Sequence, residues 1–445
     1  MKKHLAIFSL ATLLLIYACF ITKSGYFNHP YPNIDEYIAS FLLLTYTIIL
    51  LFWKKNRRKK AIYGFSFVVI LMISVNVLNY YNEWHPIRLN LPLNSSQSFR
   101  VGHEPFEWRK AKPAAYNYDI VTLGNYYSKL KNWKRLRGLL VVQDDKLIIE
   151  KYFKGTDKYN AFNIHSITKS ITSALVGIGI DKGMIPSEEE KVMKYFPEYQ
   201  NQVDSPKNDL TLKHLLTMKG GFAHWDAYST PKECLVEIGI NKKPGTNFKY
   251  FTGSQALLSA IVTKSTSQST KEFAQEHFFE PIGIKNGFWR LQDGYYCGGG
   301  ESYYTARDLA RIGQVYLNKG KVGSKQIVSE NWIDKSFTNY TDSSSEFRIL
   351  DDYYEEGYGY CWWILNYQGH KIYTARGKGG QYLMVIPEIN AVVVVIQEWN
   401  LMKEFEIENN LLCDLFSILF NNEKNSLEQK DKLGLSLAKL DNELK

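Results

Sequence analysis

Ser166 and Lys169 stand three residues apart in Asn163-Ile-His-Ser-Ile-Thr-Lys-Ser-Ile-Thr-Ser-Ala-Leu-Val-Gly-Ile-Gly-Ile180. Positions i and i+3 share a helix face, so the lysine amine can reach the serine hydroxyl. A serine alcohol becomes a nucleophile when a neighbouring base takes its proton. A lysine in dry, apolar surroundings has a lowered pKa and can be that base. The spacing alone is not selective, since Ser128/Lys131, Ser229/Lys232 and Ser436/Lys439 repeat it. Pro231 argues against a helix interior at Ser229, Ser436 lies in a charged tail, and Ser128 sits in a polar stretch before the first clear strand. Only Ser166 opens a run in which Ile167, Ile171, Leu175 and Ile178 make an apolar stripe at helical spacing.

The elements that must position this pair begin beyond a membrane portion. His4–Thr22, Tyr37–Trp53 and Ile62–Tyr80 are apolar runs of spanning length without a Lys, Arg, Asp or Glu. They are expected to form three transmembrane helices in a membrane domain over residues 1–80. A signal peptide ending near Cys19 would account for the first run but not for the other two. The formal net charge is +9, and residues 1–80 hold +7 of it, from nine cations against Asp35 and Glu36. Six of those cations form the loop Lys54–Lys60, which the positive-inside rule places in the cytoplasm with Lys2 and Lys3. Three crossings then put the C-terminal portion outside the cytoplasmic membrane, with the lipid bilayer as a partner. The basic balance therefore reports topology and not nucleic-acid binding.

The five cysteines at 19, 234, 297, 361 and 413 form no Cys-x-x-Cys pair, and free thiols are expected. No His-Glu-x-x-His, Walker-type glycine loop or Gly-x-Ser-x-Gly elbow is present, so metal, nucleotide and α/β-hydrolase chemistry lack a motif.

Residues 81–125 are polar with prolines and read as a linker or lead-in. Gly138–Gln143 and Leu147–Phe153 read as strands joined by a turn at Asp144-Asp145-Lys146. The Ser166 helix ends at Asp181-Lys182-Gly183, where glycine supplies the cap. A middle region over about 185–345 is mostly helical in pattern, with a capping box at Thr305-Ala-Arg-Asp308 before Leu309–Leu317. Strand patterns return at Tyr358–Leu365, Lys371–Ala375, Gln381–Ile386 and Ala391–Gln397, the last two joined by Pro387-Glu-Ile-Asn390. A closing helix follows near Glu404–Phe420, and 421–445 is a charged tail. Strands at both ends with helices between them predict an α+β domain over 126–420, an antiparallel sheet flanked by helices with an inserted helical region.

These blocks resemble the serine β-lactamase/penicillin-binding-protein superfamily. The branch is that of class C β-lactamase-related hydrolases, with its esterases and 6-aminohexanoate-dimer hydrolases. The resemblance spans roughly residues 136–400 and includes Gly138–Asp144, Leu215–Gly221, Tyr250–Leu258, Phe279–Ile284 and Tyr358–Trp363. It implies a serine hydrolase that forms an acyl-enzyme at Ser166 and uses no cofactor or metal. The family's Tyr-x-Asn motif falls on Tyr250-Phe-Thr252, which implies that the Tyr250 phenol shuttles a proton between nucleophile and leaving group. A phenol titrates near pH 10 in water, so it needs a cation such as Lys169 beside it; lysine and tyrosine both remain candidates for the base. Thr252 replaces the asparagine that would otherwise bind a substrate carbonyl.

The Lys-Thr-Gly motif falls on Lys378-Gly379-Gly380 before Gln381. By resemblance, the backbone N–H groups of Ser166 and Gln381 form the oxyanion hole, while Thr252, Lys378, Gly379, Gly380 and His224 border the substrate. Gly379 stands where many members carry a hydroxyl for a substrate carboxylate, which weakens β-lactam breakdown as the natural role. Substrates reachable from outside the membrane include peptidoglycan peptides, D-alanyl esters of wall polymers and small exogenous esters or amides. The competing expectation is a non-hydrolytic, penicillin-recognising sensor or envelope scaffold with a degenerate site.

Overall fold

A computed structural model describes residues 98–203, 205–223, 229–285, 287–341, 353–398 and 411–420. In chain order the principal elements are β1 (Ser98–Arg100), α1 (Ile120–Lys131), β2 (Leu136–Gln143), β3 (Lys146–Tyr152), β4 (Asn160–Asn163) and α2 (Thr168–Asp181). There follow α3 (Gly253–Thr266), β5 (Phe288–Trp289), β6 (Ser302–Thr305), α4 (Ala306–Leu317) and α5 (Glu330–Phe337). The chain then forms β7 (Tyr353–Tyr358), β8 (Trp363–Tyr367), β9 (His370–Gly377), β10 (Gln381–Ile386) and β11 (Ala391–Gln397), with a helix over 411–420.

The N- and C-terminal strands join in one antiparallel sheet of seven, in the order β7-β8-β9-β10-β11-β2-β3. Its interior strand β11, Ala-Val-Val-Val-Val-Ile-Gln, is buried at every position. Such a strand reads as a continuous apolar run because both of its faces are covered. Successive side chains point to opposite faces. Val392, Val394 and Ile396 accordingly join the core beneath α2, α3 and α4. Val393 and Val395 join a second core with Leu123 and Tyr126 of α1 and Leu415 and Phe416 of the closing helix. The result is an α+β sandwich of helices, sheet and helices. A smaller sheet, in the order β1-β4-β6-β5, leads into α2.

Local signals explain several boundaries. Asp144 and Asp145 adopt φ of 48° and 58°, the left-handed pair that a two-residue hairpin between β2 and β3 requires. The capping box at Thr305–Asp308 is formed and opens α4. Strands β10 and β11 have the expected bounds, with Asn390 at φ 49° in the turn between them.

Other expectations are corrected. From Ser98 onward the stretch taken as a linker belongs to the domain. β1 pairs with β4, Trp108 is buried, and Leu147 exchanges backbone hydrogen bonds with Arg109 and Ala111. That segment covers the open edge of β3, a task that leaves no periodic signature in its side chains. The expected boundary at residue 126 also falls inside α1.

The single strand expected at Tyr358–Leu365 is two strands, β7 and β8, with the chain reversing at 359–362. Gly359 lies where a Cβ would meet Ser336 O at 2.0 Å, and Cys361 takes φ 66°. Packing around Gly359 sets this reversal within a run otherwise rich in strand-favouring aromatics. In α2 every residue from Thr168 to Gly179 is buried, so the apolar stripe is part of a helix enclosed on all sides.

Among the described residues, no helix is long and apolar enough to cross a membrane. The three expected spans and the C-terminal tail lie outside those residues.

Candidate active site

Strand β4 leads into the Ser166 segment. Ile164 N–H donates to Ser302 O at 2.9 Å, which ties the end of β4 to β6. The chain then turns through a short 3-10 segment, His165–Ile167, before α2 begins at Thr168. Ser166 therefore sits on the turn that feeds the helix, one step outside it. His165 has φ 46°, an uncommon backbone state for a non-glycine residue, and its N–H is held by Asn163 Oδ1 at 2.9 Å. Thr168 Oγ1 donates to His165 O at 2.6 Å, which closes the turn.

Lys169 projects from the first turn of α2 and is 1% exposed. Its Nζ lies 2.8 Å from Ser166 Oγ and donates to Gly299 O at 2.7 Å. The amine is thus aimed by two oxygens. Gly299 belongs to the run Cys297-Gly-Gly-Gly-Glu301, which the sequence reading passed over. A Cβ at Gly299 would stand 2.5 Å from Thr252 Cγ2 and 3.3 Å from Lys169 Nζ, so only glycine brings this carbonyl to the lysine. Three consecutive glycines were the available signal.

Tyr250 precedes α3 and meets the pair from above: Lys169 Nζ is 5.1 Å from its ring centroid. The ring stacks on Trp363 at 5.6 Å and 24°, and meets Tyr358 edge-on at 6.2 Å and 87°. Thr252 turns its methyl toward Gly299.

The fourth wall is the hairpin between β9 and β10, with Gly377 paired to Gln381. A Cβ at Gly377 would come 2.3 Å from Ile164 O, which shows how closely the strand passes the nucleophile turn. Gly379 and Gly380 take φ of 82° and 84° in the connection, and Arg135 Nη2 donates to Gly379 O at 2.8 Å. Arg135 is a second residue the sequence reading did not find. The Gln381 side chain is buried and turned toward β11, where it bonds the backbone of Gln397. Any part Gln381 plays in the site therefore falls to its main chain. Lys378 is exposed and close enough to act electrostatically on His165.

Burial, with the positive charges of Lys378 and Lys169, pushes His165 down to about 3, so it is neutral at physiological pH. Burial pushes the Cys361 thiol up to about 12, with the nearby Lys169 charge opposing. It is an unreactive thiol, although its carbonyl anchors Ser170 Oγ at 2.7 Å. The four described cysteines are free thiols, as expected. Among the described residues, no three His, Cys, Asp or Glu side chains converge as a metal site. The structure thus gathers Ser166, Lys169, Tyr250, Thr252 and the 377–381 hairpin. His224 lies outside the described residues.

The sequence profile of the Beta-lactamase family matches residues 134–412. The chain belongs to the Beta-lactamase family. The 6-aminohexanoate-dimer hydrolase of Paenarthrobacter ureafaciens is 22% identical over 288 residues, covering 58% of this chain and 72% of that protein. A penicillin-binding protein homologue from Pyrococcus abyssi superposes with a TM-score of 0.53 at 19% identity, over 68% of this chain and 78% of the other. EstCE1, a hydrolase with promiscuous acyltransferase activity, superposes with a TM-score of 0.55 at 13% identity, over 69% and 100%. At these identities the superpositions establish the fold. This Beta-lactamase-family chain lies in the serine β-lactamase/penicillin-binding-protein superfamily, and the structures it resembles include hydrolases and a family VIII carboxylesterase.

Proposed function

We propose that this protein is a membrane-anchored, extracytoplasmic serine hydrolase that cleaves an ester or amide through a Ser166 acyl-enzyme. The observation that carries this reading is the 2.8 Å approach of a buried lysine amine to the Ser166 hydroxyl. Lys169, working with Tyr250, takes the hydroxyl proton as Oγ bonds to the substrate carbonyl carbon. The backbone N–H groups of Ser166 and Gln381 hold the oxyanion, each such donor being worth about 3 kcal/mol to the transition state. Collapse breaks the bond to the leaving group, which leaves with a proton from Tyr250. A water activated by the same pair then releases the acyl group.

The main-chain wall Gly377–Gln381 leaves room for an acyl group against the strand edge. Gly379 at φ 82° disfavours the hydroxyl residue that would hold a β-lactam carboxylate, which supports esters or amides of other classes. The apolar runs of residues 1–80 and the cationic loop Lys54–Lys60 support the anchor and its topology.

The test uses the full-length protein in mild detergent with a fluorophosphonate probe and a chromogenic ester. Labelling and turnover are expected in the wild type and absent in Ser166→Ala; turnover that survives the substitution removes Ser166 from the mechanism. Stoichiometric labelling without turnover of any D-amino-acid ester, short acyl ester or β-lactam would favour the sensor reading. Reporter fusions after Tyr80 and within Lys54–Lys60 test topology, and a cytoplasmic signal after Tyr80 overturns it.

A further inference from the structure

The carbonyls of Tyr296, Cys297, Gly298 and Gly299 follow one another, and each accepts a hydrogen bond from a side chain. Ser259 Oγ of α3 donates to Tyr296 O at 2.6 Å, and Trp289 Nε1 of β5 donates to Cys297 O at 2.8 Å. Thr172 Oγ1 of α2 donates to Gly298 O at 2.8 Å, beside the Gly299 O that Lys169 Nζ bonds at 2.7 Å. Residues 297–301 are buried, and a buried loop must find a partner for each of its main-chain carbonyls. Here the partners come from three separate elements, which fixes the loop in place. It has no room to retreat on its far side. A Cβ at Gly298 would meet Gln255 O at 2.1 Å and Ser259 Cβ at 2.9 Å, so the backbone lies pressed against α3. Ser259, Trp289 and Thr172 are themselves buried, and none of the acyl-transfer steps above uses them.

We propose that Thr172 is a positioning residue: by holding Gly298 O it sets the Gly299 carbonyl, and through it the approach of the Lys169 amine to Ser166. The inference rests on the serine-hydrolase reading above. Thr172 stands three residues beyond Lys169, so the two side chains leave the same face of α2. They take adjacent carbonyls of one loop, which makes a two-point clamp between the helix and the glycine run. The clamp matters because a lysine ammonium rides on a flexible four-carbon stem. A carbonyl can locate that amine only as well as the carbonyl itself is located. Thr172 is 0% exposed, so its influence reaches the reaction through the loop and not by touching a substrate. A residue needed only to fill this space could be valine, which has nearly the same shape. What the loop uses is the hydroxyl.

The test is the second-order rate constant and the final amplitude of fluorophosphonate labelling in the full-length protein in mild detergent. The amplitude counts folded sites, and the rate constant reports how well each one is set. Thr172→Val keeps the shape and deletes the donor. Its rate constant is expected to fall roughly 10- to 100-fold at near-complete amplitude, the scale of a misplacement of about 1 Å. Thr172→Ser keeps the hydroxyl and should recover most of that loss. A wild-type rate constant in Thr172→Val overturns the proposal, whether or not the amplitude drops, and so does a loss that Thr172→Ser shares in full. If Thr172→Val fails to fold, Thr172→Cys decides, because it differs from Thr172→Ser by one atom and a thiol is a weak donor. A rate constant well below that of Thr172→Ser supports the proposal, and an equal one overturns it. Labelling that survives Ser166→Ala would instead overturn the serine-hydrolase reading, so the two failures are distinguishable.

Discussion

Gly299→Ala tests how the lysine is aimed. The added Cβ would lie 2.5 Å from Thr252 Cγ2, 3.2 Å from Thr252 O and 3.3 Å from Lys169 Nζ. The first distance is impossible without movement, and Thr252 is β-branched and stiff at χ1. The glycine loop must therefore give way, and it carries the carbonyl that Lys169 bonds at 2.7 Å. Overpacking of this kind costs about 1–3 kcal/mol. If that strain appears at the Lys169–Ser166 contact, the acylation rate falls roughly 5- to 150-fold. Thr252→Ser deletes the colliding atom and keeps the hydroxyl, so Gly299→Ala/Thr252→Ser should recover most of the rate lost by Gly299→Ala. The double-mutant cycle with Thr252→Ser alone should show a coupling energy of about 0.5–3 kcal/mol. Second-order fluorophosphonate labelling rates and ester kcat/KM are the measurements, with melting temperature as a folding control. A double mutant as slow as Gly299→Ala, or a Gly299→Ala protein as fast as wild type, would refute the reasoning.

Three further outcomes are expected. Tyr250→Phe keeps the ring on Trp363 but removes the phenol, so kcat should fall by about 10²- to 10⁴-fold at an unchanged melting temperature; full activity would exclude the phenol from proton transfer. In Gly177→Ala, a Cβ would stand 2.6 Å from the Trp332 indole, so stability should drop by about 1–3 kcal/mol in urea unfolding, and wild-type stability would contradict the packing. His165 has a folded pKa of about 3, below its ordinary 6.5, so the unfolded chain takes up the proton first as pH falls. Its contribution is fully present above pH 6.5 and is lost on acidification toward pH 3, at about 1.4 kcal/mol per pH unit. His165→Asn, which tolerates the left-handed backbone, should flatten the dependence of unfolding free energy on pH between those limits; slopes equal to wild type would place the imidazole in water.

Local chemistry made the helix after Ser166, a hairpin at Asp144-Asp145, the Thr305 capping box and strands β10 and β11 legible before any coordinates; that the hairpin has two residues and that Ser166 sits on a turn just before the helix are seen only in the structure. Each is signalled by residues within a few positions of one another: a helical repeat, a pair of aspartates, a Thr-x-x-Asp, an unbroken run of valines. The reversal at 359–362 was hidden because four of the six residues in Tyr358-Gly-Tyr-Cys-Trp-Trp363 are strand-favouring aromatics, and Gly359 alone did not mark the turn. What bends it is contact with Ser336, 23 positions earlier in the chain. The segment from Ser98 to Ala111 was hidden for a related reason. It pairs through its backbone with β3 and β4, and the amino-acid types along it carry no trace of that role.

The site shows the same division more sharply. Ser166 and Lys169 announce themselves because the proposed mechanism works through their side chains, whereas the surfaces that aim them are made of main chain. The Gly299 carbonyl reaches the lysine, the Gly377 backbone passes beside Ile164, and Gly379 and Gly380 turn the chain between β9 and Gln381. In each place the requirement is that no side chain be present. A motif search weighs such glycines only as breaks between elements, which is why the run at 298–300 went unused. Two of these four positions, Gly299 and Gly377, lie within contact distance of the Ser166 segment, the lysine or Thr252, so an added methyl group there acts on the site before it acts on the fold. Substituting those two should therefore lower the acylation rate well before it lowers the melting temperature. Parallel losses in both would mean that these glycines serve packing alone.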